Sequence, residues 1–139
     1  MNSMLKLSEA TSLALHSMIL MALKNGEMLQ TKEMAEHLGC SSDHLSKVLQ
    51  RLRRHNLVLS TRGPKGGSRL AKKPEQIALL EICEVIEGPF HLPNCMLDEP
   101  ICRGECLLFG NLLQEFGEKL RTHLENTTLA DAGKILVDL

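Results

Sequence analysis

Leu13, Leu15, Met18, Ile19, Met21, Ala22 and Leu23 form a dense apolar helical stretch that stops at Asn25-Gly26, a pair suited to a helix C-terminus. A second pattern is capped by Thr31, carries Glu33 and Glu36 near its start, turns Met34, Ala35 and Leu38 inward, and breaks at Gly39. Ser41-Ser42 opens a third helix in which Leu45, Val48, Leu49 and Leu52 share one face. The period then changes. Leu57-Val58-Leu59-Ser60-Thr61 is short and β-prone, the glycine-rich run from Arg62 to Gly67 turns the chain, and Ser68-Arg69-Leu70-Ala71 returns it, which predicts a hairpin. After Lys72-Lys73-Pro74, a helix from about Glu75 to Glu87 carries Ile77, Leu80, Val85 and Ile86 and ends at Gly88-Pro89. From about Glu105 to Glu125, Leu107, Leu108, Leu112, Leu113, Phe116, Leu120 and Leu124 trace a long apolar stripe, followed by a short terminal helix or tail over 127–139.

The order helix, helix, helix, basic hairpin is that of a winged helix-turn-helix. The predicted class is therefore mainly α: a winged helix-turn-helix DNA-binding domain over 1–74, then a linker helix, a cysteine loop and a long C-terminal dimerisation helix over 75–139. The apolar stripe of the last long helix exceeds what one small N-terminal domain can cover. That excess predicts a two-fold homodimer, which would match a palindromic operator.

Charge supports the division. Residues 1–74 hold twelve Lys and Arg against five Asp and Glu, whereas 75–139 hold four against twelve, so a formal net charge of -1 conceals a basic half and an acidic half. The basic half is suited to phosphates. His44, Lys47, Arg51 and Arg54 recur at three- and four-residue steps on the third helix and form its solvent face, while Arg62 and Lys65 sit at the hairpin tip, placed for phosphate contact or minor-groove insertion. The absence of Trp and Tyr argues against single-strand binders that stack bases on aromatic platforms, and leaves double-stranded DNA. The Met18 to Leu23 run is too short for a signal peptide or a membrane span, so a cytoplasmic protein is expected. No catalytic constellation is suggested, and a phosphate-cradling loop lacks its GK[ST] context.

Cys95, Cys102 and Cys106 fall within twelve residues, interleaved with Pro100 and Gly104. Residues so punctuated cannot form one helix face, and their convergence points to a metal centre. Three readings stand: an iron-sulfur cluster, of two or four irons; a zinc site completed by His91, four residues before Cys95; or a thiol redox switch between Cys102 and Cys106. An iron-sulfur electron carrier or assembly protein is a more remote alternative, disfavoured by the wing. Cys40 and Cys83 have apolar neighbours and read as small core residues.

Across nearly its whole length the chain resembles the Rrf2-type winged-helix transcription regulators, with IscR-like and NsrR-like members. The resemblance rests on the helix running into Leu49-Gln50-Arg51-Leu52-Arg53, the RGPKGG motif from Arg62, Val85-Ile86-Glu87-Gly88, the three-cysteine loop, and Thr127-Thr128-Leu129-Ala130-Asp131. It implies a bacterial dimeric regulator, by family habit a repressor, whose operator binding is modulated by an iron-sulfur cluster that senses cluster status, redox state or nitric oxide. By position it implies that Ser41, Asp43, His44, Ser46 and Lys47 meet bases and backbone, that Arg62 enters the minor groove, and that the three cysteines are ligands. The fourth ligand departs from the pattern. Phe109 stands where IscR-like members have His, Ser12 stands where NsrR-like members use an acidic residue of the partner's first helix, and Glu9 is a nearby carboxylate.

Overall fold

A computed structural model describes residues 7–92, 99, 101 and 108–135. The first helix, α1 (Glu9–Leu23), is apolar nearly all round, and that composition puts it at the centre rather than on a surface. Leu13, Ala14, Met18, Ile19 and Met21 are buried, as are Thr11 and Ser17, whose hydroxyl donates to the Ala14 carbonyl at 3.1 Å. Ser8 caps it through the Thr11 amide at 3.1 Å, and left-handed Asn25 and Gly26 turn the chain away from its end.

Helix α2 (Thr31–Leu38) ends on left-handed Gly39, and α3 (Ser42–Arg54) begins on Ser41, whose hydroxyl accepts the His44 amide at 3.1 Å. Thr31 is the first helical residue of α2 rather than its cap; the cap position is Gln30, which makes no side-chain capping bond. Strands β1 (Val58–Thr61) and β2 (Gly67–Leu70) pair antiparallel, Val58 opposite Leu70 and Thr61 opposite Gly67. Leu29, ahead of α2, exchanges two backbone hydrogen bonds with Ser68, at 3.0 and 2.8 Å. The hairpin is thereby fastened to the helix-turn-helix. Gly67 (φ +145°) makes this approach possible, because a Cβ there would press on the Leu29 carbonyl.

The expected linker helix is interrupted. A 3-10 turn at Pro74–Gln76 is followed by extended Ile77 and Ala78, and only then by α4 (Leu79–Glu87). The cause is long-range: the Leu79 amide donates to the Thr127 carbonyl at 2.9 Å and the Leu129 amide to the Ile77 carbonyl at 2.8 Å. This short bridge between residues about fifty apart takes the backbone groups that a continuous helix would use internally. The next long helix also starts later than its stripe suggested: among the described residues α5 spans Leu112–Asn126, preceded by left-handed Gly110. Leu108 and Phe109 therefore lie outside it. The last helix, α6 (Leu129–Ile135), opens with a reciprocal cap in which Asp131 accepts from the Thr128 amide and hydroxyl, at 3.0 and 2.9 Å.

Helices α4 and α6 both pack on α1, and α4 also packs on α3. Leu45, Leu52, Leu57, Val58, Ile77, Ile82 and Leu129 are fully enclosed in the shared core, so residues from both halves of the sequence contribute to it. Cys83 is buried in α4, where burial and then the nearby Glu87 charge push its thiol pKa up, and Cys40 is half-buried against the core. Both fit the reading of structural cysteines. Among the described residues, Leu108 (79% exposed), Phe109 (41%), Leu112 (60%) and Phe116 (40%) leave apolar surface open at the start of α5.

Candidate nucleic-acid interface and the root of the cysteine segment

Helix α3 buries Leu45, Val48, Leu49 and Leu52 against the core, which leaves the opposite side free. An open groove of about 480 Å³ separates that side from the wing, with Ser46, Lys47, Gln50 and Arg53 on the helix and Thr61 and Gly63 opposite them. Arg62 and Lys65 stand exposed at the wing tip. Gly66 is buried inside the tip, where a Cβ would strike the backbone of Thr61 and Arg62. The wing keeps its narrow shape because that position has no side chain. Glycine also places the tip close to whatever the groove receives.

Six of the eight predicted contact residues form three groups. Ser46 and Lys47 line the groove; Ser41 and Asp43 are exposed at the N-terminus of α3, Ser41 also serving as its cap; and Arg62 and Lys65 occupy the wing tip. His44 and Arg51 lie on a different flank. His44 Nδ1 stands 4.0 Å from Glu9 Oε1 of α1, and the Arg51 guanidinium donates to the carbonyls of Ile86 at 2.5 Å and Val85 at 3.3 Å. The three- and four-residue stepping placed Arg51 with Lys47, but a step of four drifts around the helix and carries Arg51 toward α4. Gln50 and Arg53 were missed as groove residues. Their signal was present, because Ser46, Gln50 and Arg53 recur at steps of four and three along one polar flank of α3.

Cys95, Cys102 and Cys106 lie outside the described residues, but the points from which their segment departs are defined. Glu84 accepts the Phe90 amide at 3.0 Å, which fixes the turn after α4. Leu92 packs on buried Gly117 of α5, where a Cβ would come within 2.7 Å of Leu92 Cδ1. The segment is therefore seated against α5 three residues before Cys95. Glu87 Oε1 accepts from the hydroxyls of Ser8 and Thr11 at the start of α1. Those two bonds, with a smaller effect of Arg51, hold its carboxyl below the ordinary glutamate value. Of the candidate completing ligands, His91 is exposed, Phe109 sits in the turn before α5 and has no ligating atom, and Ser12 is half-buried on α1. Among the described residues no three His, Cys, Asp or Glu side chains gather as a metal site.

A helix-turn-helix whose second helix shares a groove with a basic two-stranded wing defines a winged-helix DNA-binding regulator. The chain belongs to the Rrf2 family, whose model, described as an iron-dependent transcriptional regulator, matches residues 7–134. It is 34% identical over 105 residues to the HTH-type transcriptional regulator NsrR of Bacillus licheniformis, covering 75% of this chain and 71% of that protein. In structure it is similar to CymR, the global cysteine regulator of B. subtilis (TM-score 0.78, 30% identity, 95% of this chain and 98% of that one). It is also similar to IscR of T. potens (TM-score 0.75, 26% identity, 97% of this chain and 90% of that one). These relatives are transcription regulators and not enzymes, as the sequence reading expected. No helix among the described residues is long and apolar enough to cross a membrane.

Proposed function

We propose that the chain is a homodimeric regulator, by family habit a repressor, that acts on bacterial chromosomal DNA in the cytoplasm, and that the state of Cys95, Cys102 and Cys106 sets its affinity for a palindromic operator. The carrying observation is that α4, which leads into the cysteine segment, packs directly on the recognition helix α3. Ser41, Asp43, Ser46, Lys47, Gln50 and Arg53 meet one major groove, with His44 at its edge, while Arg62 and Lys65 reach the neighbouring backbone or minor groove. The exposed surface of Leu108, Phe109, Leu112 and Phe116 is the self-association face, and two such subunits present two recognition helices to the two halves of an operator.

Three thiolates suit an iron-sulfur cluster, which is the centre we favour. When bound, such a cluster supplies iron that responds to redox state and nitric oxide. The chain's own contribution is to anchor the segment through Glu84, Glu87 and the Leu92 seat, so that a change between Gly88 and Cys106 is felt by α4. A differential interaction of about 1–3 kcal/mol between two DNA-binding geometries suffices for a useful switch. A thiol switch within Cys102 and Cys106 is the second reading; it is favoured by Phe109, which offers no donor at the position of the completing ligand. A zinc site completed by His91 is the third, and iron, sulfide and zinc assays on anaerobically purified protein separate all of them.

Operator affinity measured by fluorescence anisotropy should change on iron chelation, oxidation or nitric oxide treatment of the wild type. Cys102→Ala should abolish that response. An unresponsive wild type overturns the proposal.

A further inference from the structure

The C-terminal turn of α4 is held by two other helices at once. Helix ends leave their last carbonyls without intrahelical partners, and a cation there meets both these acceptors and the negative end of the helix dipole. Arg51 of α3 fills that place, donating to Ile86 and Val85 at 2.5 and 3.3 Å. The next residue, Glu87, accepts from Ser8 and Thr11 at the start of α1. One residue later Gly88 (φ +87°) turns the chain toward the cysteine segment. A displacement starting in that segment therefore reaches α4 at the same turn where α3 and α1 are fastened. Among the described residues, Arg51 is the only Lys or Arg of α3 that hydrogen-bonds to α4.

We infer that Arg51 is a positioning residue and not a DNA contact: its bonds to the last carbonyls of α4 fix the angle between α4 and the recognition helix, and so link residues 79–92 energetically to operator binding. The inference rests on the proposed function for its physiological meaning, but the linkage is measurable with the cysteines in any state. Coupling is reciprocal. If the cysteine segment acts on α3 through this turn, operator DNA bound to α3 must change the stability of the turn, although the DNA does not touch it.

The test is hydrogen exchange of the full chain, with and without operator duplex, on the wild type, Arg51→Met and Arg51→Lys. Arg51→Met keeps an apolar stem of similar length and removes the donors, and Arg51→Lys keeps the charge and one point of contact. In the wild type, operator DNA should slow exchange at the C-terminal turn of α4 and in 88–92 by severalfold. Arg51→Met should lose that protection while retaining protection in α3 and the wing, and Arg51→Lys should restore part of it. The slope of log affinity against log salt should be the same in wild type and Arg51→Met; a slope smaller by about 0.9 would identify Arg51 as a phosphate contact and overturn the inference. Equal DNA-induced protection of 79–92 in wild type and Arg51→Met, or none in wild type, would overturn it too. A wild type whose operator affinity ignores the cysteines but whose α4 turn still responds to DNA would remove the proposed sensing and leave the Arg51 linkage standing.

Discussion

Glu87 illustrates how one exposed side chain can join elements distant in sequence. Its carboxylate accepts from Ser8 and Thr11, of which Thr11 is fully buried, so a bond made at the surface secures the first turn of the central helix. These bonds favour the ionised form and lower its pKa from the ordinary value of 4.5. The stabilisation is therefore complete above that value and fades as the pH falls through the folded-state pKa. Asp131, lowered by the amide and hydroxyl of Thr128, adds to the same trend. Glu87→Gln should be less stable than wild type at neutral pH, and the difference in thermal midpoint should shrink below pH 4.5, as followed by circular dichroism. A constant difference across that range would show that the carboxylate's charge is unimportant.

At the scale of the elements, the groove between α3 and the wing divides the cations by task. Lys47 and Arg53 line it, whereas Arg51 is held by α4. Lys47→Ala and Arg53→Ala should each weaken operator binding and reduce the salt slope by about 0.9, detectable in a titration of anisotropy against salt. The elements differed in how openly the sequence declared them. Helices α2 and α3 are punctuated locally, by Gly39 and Ser41, and the hairpin by its glycines, so their bounds were legible to within a residue or two. The break at Ile77 and Ala78 was not, because its cause is Thr127 and Leu129, about fifty residues away. Leu108 and Phe109 continued an apolar pattern that the left-handed Gly110 separates from α5. At the site, Arg62 and Lys65 could be read from the wing motif, while the destination of Arg51 depended on where α4 docks, which periodicity along α3 does not encode.

In the whole molecule, one core serves both ends of the chain, since α6 returns to pack on α1. Among the described residues, the core leaves Leu108, Phe109, Leu112 and Phe116 uncovered at the start of α5. Phe116→Glu should place a charge in the proposed self-association face and raise the dimer dissociation constant on the order of a hundredfold, equivalent to ~2.7 kcal/mol. Analytical ultracentrifugation measures this directly, and an unchanged dimer would assign the face another role. Loss of the dimer should also flatten the preference for palindromic over single half-site DNA.

The bridge between Ala78 and Thr128 has a consequence for how such a chain can diversify. It pins the start of α4 beside the start of α6, so the stretch of chain that contains the cysteine positions is closed into one loop at its base. Closing a longer flexible excursion costs only about 0.6 kcal/mol for each doubling of its length. Changes of length in the sequence between Gly88 and α5 should therefore cost the DNA-binding domain little stability. On the proposed function, signal chemistry would be exchangeable like a graft on a rootstock, provided the coupling to the last turn of α4 were kept.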